Sequence, residues 1–167
     1  MNRTLKKSIL VLLVIVISMF GLVGVSGGTT IKYTKKVSTT QRTNAAKYFS
    51  GYVKSSTSSN NIFLAQAAYK KAGVNPSPGK TIKFANDWYK IMPNRGVSTY
   101  KNGDIIFVVN SKGVAVDNGM VVVQNSSTRV YWKVLGGTGM SNTVSKFKST
   151  FTTGRYKGYR VINTRFN

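Results

Sequence analysis

The stretch SSTSSNNIFLAQAAYKKAG, residues 55–73, sets a loop of small polar residues against the polar start of an apolar helix. A helix N-terminus is a place to hold an activated nucleophile, because its unpaired amides and positive dipole end stabilise an anion. The residue types that would exploit it are missing. The 167-residue chain has no cysteine and no histidine, and its only acids are Asp87, Asp104 and Asp117. These absences exclude thiolate chemistry, disulfides and imidazole general-base catalysis, and three scattered carboxylates leave little from which to build a metal cage. No metal and no cofactor is expected.

What remains is amides, hydroxyls and ammonium groups. Asn60 stands where a helix cap is expected, since its side-chain oxygen can accept from the first free amides. Ser58, Ser59 and Ser98 would each need a neutral lysine beside them to act as nucleophiles. A Ser-rich loop in this position reads more simply as a solvated linker and cap. Gln66, one turn inside the helix, either reaches back toward the helix mouth or is a buried hydrogen-bonding residue. Asp117 and Asn118 form a polar pair in an otherwise apolar, strand-like run. Tyr131 and Trp132 are neighbours in another such run, so their side chains point to opposite faces and at least one belongs to the core.

Charge is the strongest compositional signal. Twenty-five Lys and Arg against three acids give a formal charge of +22. Solubilising surfaces usually mix both signs, so this one-sided field points to an anionic partner. The cations expected to meet it are Lys35, Lys36, Arg42, Lys70, Lys71, Lys80, Lys146, Lys148, Arg155, Lys157 and Arg160. They are spread along the chain with no nucleic-acid recognition motif, which argues against a specific nucleic-acid partner.

The elements that must position these groups follow from punctuation and periodicity. Arg3, Lys6 and Lys7 precede an apolar run from Ile9 to Val25, then small residues around Ser26 to Gly28. Residues 1–27 therefore read as an export signal, or a signal anchor if they are not cleaved. Residues 28–41 read as a polar spacer and residues 42–167 as one domain. A short amphipathic helix is expected from Arg42, with Ala45, Ala46, Phe49, Tyr52 and Val53 on one stripe. A central helix follows from Asn61 to Ala72, and a third lies within residues 81–92, stopped by Pro93. Residues 104–109, 114–124 and 129–135 read as three consecutive antiparallel strands. Val144, Phe147 and Phe151 suggest a short helix, and residues 155–163 a last strand. N-terminal helices packed on an antiparallel sheet make an α+β fold.

Helix first and sheet after, with NNIFLAQAAY opening the helix and GDIIFVV and VAVDNGMVVV in the sheet, resembles the amidase domain of secreted Gram-positive proteins. That family lies within the NlpC-type, papain-like superfamily of cell-wall enzymes. The family segment Asp-Cys-Thr-Asn-Phe-Val-Ser-Gln falls on residues 59–66, with Phe63 and Gln66 identical. Its Gly-Asp falls on Gly103 and Asp104, and its Asp-His on Asp117 and Asn118. The resemblance implies that the cysteine and histidine seats are held here by Asn60 and Asn118. A carboxamide neither attacks as a formed nucleophile nor shuttles a proton near neutral pH. No family-like third residue is present, Lys133 being a poor substitute.

The expectation is an exported or envelope-bound, non-catalytic amidase-like domain. Its partners would be a wall polyanion, whether teichoic acid or peptidoglycan, another protein, or an anionic membrane surface. Two alternatives stand beside it: an active wall hydrolase with an unrecognised nucleophile, and a cationic effector that acts on an envelope.

Overall fold

Ser38 and Gln41 start the first helix. Ser38 Oγ accepts from the Gln41 amide at 3.1 Å, and Gln41 Oε1 accepts from the Ser38 amide at 3.0 Å. This reciprocal box satisfies two donors that no helical carbonyl can reach. Helix α1 consequently runs Thr39–Ser55, beginning three residues before the expected Arg42. The structure, a computed structural model, describes residues 33, 35–58, 60–77, 82–134 and 137–167. The export signal read from residues 1–27, and also Ser59 and Lys80, lie outside the described residues.

Helix α2, Asn61–Lys71, and α3, Ala85–Ile91, match the expected second and third helices. The predicted meander is also present, as β2 Ile105–Val109, β3 Ala115–Gln124 and β4 Ser127–Lys133. Between β3 and β4 the turn residues Asn125 and Ser126 have φ of 48° and 62°. Two consecutive left-handed residues make the tight turn whose twist suits a hairpin. Helix α4, Val144–Thr150, and strand β6, Arg160–Arg165, complete the expected set. Two strands were not foreseen: β1, Asn94–Arg95, and β5, Gly139–Thr143. The fold is α+β, with four described helices and one antiparallel sheet of order β1-β6-β2-β3-β4-β5.

Both faces of this sheet are covered, which is why every residue of β2 is buried. On one face α1, α2 and α3 bury Phe49, Tyr69 and Trp88 against Ile105, Phe107, Met120 and Tyr131. Ala45, Ala46, Ala65 and Ala68 are buried in the same layer, and their small size suits close approach of helix backbones. On the other face, Phe147 and Phe151 of the α4 segment cover Ile106, Val108, Val121, Val130 and Trp132. Seven residues are too few for a helix to persist alone, so this burial holds α4 in place. Tyr33 and Val37 are buried with the first layer, and the Val37 amide donates to Asn167 O at 2.6 Å. Tyr33 and Val37 therefore pack on the domain, within the stretch expected to be a spacer.

The last strand, β6, is tied by charge to the residue that precedes β2. Asp104, fully buried, accepts from Arg165 Nε at 2.7 Å and Nη2 at 2.6 Å, from Asn163 Nδ2 at 3.0 Å and from the Lys101 amide at 3.0 Å. Its four donors leave it a structural residue. Gly103 beside it has φ of +78°, and a Cβ there would lie 2.7 Å from Arg42 O. Only glycine lets the α1 backbone approach this turn.

Candidate functional site

Asn60 caps α2. Its Oδ1 accepts from the amides of Ile62, at 3.1 Å, and Phe63, at 3.4 Å, and its side chain is exposed. The residue that faces the sheet is its neighbour. Asn61, 3% exposed, donates through Nδ2 to Asp117 Oδ1 at 3.0 Å and to Lys133 O at 3.0 Å, and accepts at Oδ1 from the Lys133 amide at 2.7 Å. The carboxamide thus pairs with a peptide unit as another strand would, joining the first turn of α2 to the end of β4 and the start of β3.

Asp117 Oδ1 also accepts from the Asn118 amide at 2.7 Å. Burial pushes this carboxyl above its ordinary range, while the donors Asn61 and Asn118 N–H pull the other way. Lys133 has a buried stem, and its Nζ donates to Ser56 O and, at 2.6 Å, to Gly137 O. These two bonds pin the loop after α1 to the β4–β5 turn. A cavity of about 320 Å³ opens above Asn61, Asp117 and Lys133, with Lys83, Phe84 and Val116 on its rim. Phe84 is 69% exposed there.

Asn118 lies elsewhere. It pairs across the ladder with Phe107, so its side chain is turned toward the helix layer, where it is 1% exposed and neither its Nδ2 nor its Oδ1 has a partner among the described residues. The pair that meets at the helix mouth is therefore Asn61 and Asp117, each one residue from the expected Asn60 and Asn118.

The other candidates resolve as structural groups. Gln66 is buried, donating to Ile82 O at 3.0 Å and accepting from Ser77 Oγ at 3.4 Å, which ties the loop before α3 to α2. Ser58 Oγ accepts from the Asn60 amide at 3.3 Å. Ser98 is exposed in the loop before β2. Lys133 Nζ is bonded to carbonyl oxygens and to no hydroxyl among the described residues. Tyr131 and Trp132 are both buried, on opposite faces.

The cations fall mostly on the surface. Lys35, Lys36, Lys70, Lys71, Lys146, Lys148, Arg155, Lys157 and Arg160 are exposed. Arg42 is half-buried and donates to Val37 O at 3.1 Å and Thr39 Oγ1 at 3.3 Å, so its first task is local. Lys70 and Lys71 close the last turn of α2, where a positive charge suits the helix dipole, and Lys71 Nζ sits 4.8 Å from the Tyr48 ring centre. Residues 146–160 carry the other five on the segment that covers the reverse face of the sheet.

Sequence reasoning named Lys133 only as a weak third residue and passed over Asn61, Lys83 and Phe84. The available signal was the Asn60-Asn61 doublet: one amide caps, and the next, about 100° further round the helix, is free to face a neighbour. Among the described residues no group of acids could hold a metal, and no helix is long and apolar enough to cross a membrane. No protein-family model, no curated protein and no solved structure matches this chain.

Proposed function

We propose that this protein is an exported, non-catalytic domain of amidase-like architecture that binds an anionic polymer of the bacterial cell wall. One observation carries the reading. Among the described residues sixteen Lys and Arg side chains are exposed and Asp87 is the only exposed carboxylate, with a single ion pair, Arg165 to Asp104. Such a surface draws repeating phosphates or carboxylates from solution without needing a shaped contact for each.

The amidase-like part is supported by convergence of a capped helix N-terminus with two adjacent strands of an antiparallel sheet. In that arrangement the seats of nucleophile and proton partner fall on Asn61 and Asp117. The first is a neutral amide with both its donors already used, so it supplies no nucleophile. The second is a carboxyl whose raised pKa would suit acid–base work, but it has no nucleophile to serve. Wall polymer lying along the helix mouth would meet Lys83 and the exposed ring of Phe84, charge beside an apolar face.

The test is co-sedimentation of the purified chain with cell walls before and after teichoic acid is stripped, at low salt and at roughly tenfold higher salt. Binding should fall on stripping and again with salt, and peptidoglycan incubated with the chain should release no new amino or carboxyl ends. Salt-insensitive binding, or release of such ends by the wild-type chain, would refute the reading.

A further inference from the structure

A second cavity, of about 270 Å³, lies between β4, β5 and the segment from α4 to Tyr156. Its body is aromatic and apolar: Trp132, Phe151 and Tyr156, with Val134 and Met140 at the rim. Trp132 belongs to the reverse-face layer, stacked edge-on to Phe147 at 4.8 Å, and Phe151 lies 5.3 Å from Tyr156. Val134 and Met140 are 37% and 38% exposed, large apolar side chains left in solvent beside a concave surface.

Trp132 is 2% exposed and forms the inner wall of this space. Lys146 and Arg155 also line the cavity, and neither is ion-paired. Arg155 is held over the Tyr156 ring at 4.9 Å.

We propose that this cavity binds a small amphipathic anion, a single-chain carboxylate. Its apolar body lies on Trp132, Phe151 and Tyr156. Its carboxylate meets Lys146 and Arg155. Asp117 and Lys133 line the same cavity, but at the end of the ladder where it adjoins the helix mouth. Asn142, which pairs with Val130, is four positions along from Val134, roughly 13 Å at strand spacing. Lys146 lies in the first turn of α4, just after Asn142, so the ligand is oriented with its charge toward α4. The volume equals that of roughly nine water molecules, enough for a chain of about eight to ten carbons and too little for a two-tailed phospholipid. The ligand proposed is a free acid, and phosphatidylglycerol vesicles test it against a membrane lipid.

The experiment is an NMR titration of the full chain with decanoate, followed on the indole N–H signals and by calorimetry. Trp88 is an internal reference, because its Nε1–H donates to Pro76 O at 3.1 Å. One decanoate should bind per chain, moving the Trp132 signal and not that of Trp88. Decanol should bind at least tenfold more weakly, acetate should not compete, and K146A/R155A should lose tenfold or more in affinity at an unchanged unfolding midpoint. Decanol binding as tightly as decanoate, competition by acetate, or indifference to K146A/R155A would each overturn the proposal. So would a Trp132 shift produced by phosphatidylglycerol vesicles and not by decanoate, which would place a membrane surface there instead. K146A/R155A removes two of the sixteen exposed cations, so wall-polymer binding should weaken only slightly while decanoate binding is lost, which keeps the two readings distinguishable.

Discussion

Asn61 and Asp117 stand 56 positions apart in sequence and meet at 3.0 Å, amide to carboxylate, where the first turn of α2 touches β3. The contact is one of three made by the same carboxamide, the other two being to the Lys133 peptide. Replacing Asn61 with Ala removes the partner of the buried Lys133 amide and a donor to the Lys133 carbonyl, and leaves Asp117 Oδ1 with the Asn118 amide alone. Asn61→Ala should lower stability by about 2–3 kcal/mol, read as a fall in urea midpoint with unchanged slope. An unchanged midpoint would mean that the helix mouth is held by packing alone.

Asp117 links this site to pH. Its carboxyl is pushed above 3.8 by burial, so the folded chain holds a proton there over a range in which the unfolded chain has lost it. The stability this contributes is fully present below the unfolded value and disappears as pH rises through the folded one. Asp117→Asn has no such proton, and Asp87 and Asp104 are common to both chains. The stability difference, wild type minus variant, should therefore be largest in acid and fall as pH rises above the unfolded value, as measured by urea titration at each pH. A difference that grows as pH rises contradicts the sign of the shift.

Asn118 is a buried amide with neither polar atom paired among the described residues. Asn118→Leu keeps the size and removes the unmet donors and acceptor, so it should raise stability by about 1–2 kcal/mol. Loss of stability in this variant would show that the amide is satisfied in solution by water.

The architecture proposed for the site has its own check by substitution. Asn61→Cys with Asp117→His should give a thiol that reacts with iodoacetamide faster, near neutral pH, than the thiol of Asn60→Cys with Asn118→His. The first pair faces each other; in the second pair the histidine is turned into the helix layer. Equal rates in two folded variants would remove the support that geometry lends to an amidase-like mouth.

Periodicity made most of the fold legible. The apolar stripe of α1 and the Val-rich runs of β2 and β3 bury the faces their spacing implies, whereas α2, apolar nearly all round at its start, leaves Phe63 and Ala67 exposed. What stayed hidden lacked that signal. Strand β5 reads Gly-Met-Ser-Asn-Thr, is largely exposed, and is held by pairing with β4 and not by apolar alternation. Its Gly139 presses so closely on the Val53 carbonyl that any side chain would collide, a constraint visible only in space. The start of α1 was readable, since Ser38-Thr39-Thr40-Gln41 is a capping box, but the polar run around it suggested a spacer. At the site, the region was legible and the register was not. One residue along a helix rotates a side chain by about 100°, and one along a strand reverses it. Neighbouring Asn60 and Asn61, or Asp117 and Asn118, cannot be told apart without knowing which way each faces.

The place of β6 in the sheet bears on when the chain can fold. It comes after the other five strands in sequence, yet it lies between β1 and β2, pairs with β2 along all five positions of that strand, and carries the guanidinium that neutralises Asp104. A growing polypeptide that has not yet delivered residues 160–165 holds a sheet with an open seam and a buried acid without its counter-ion. Such a chain stays pliable until this strand arrives and locks the sheet shut.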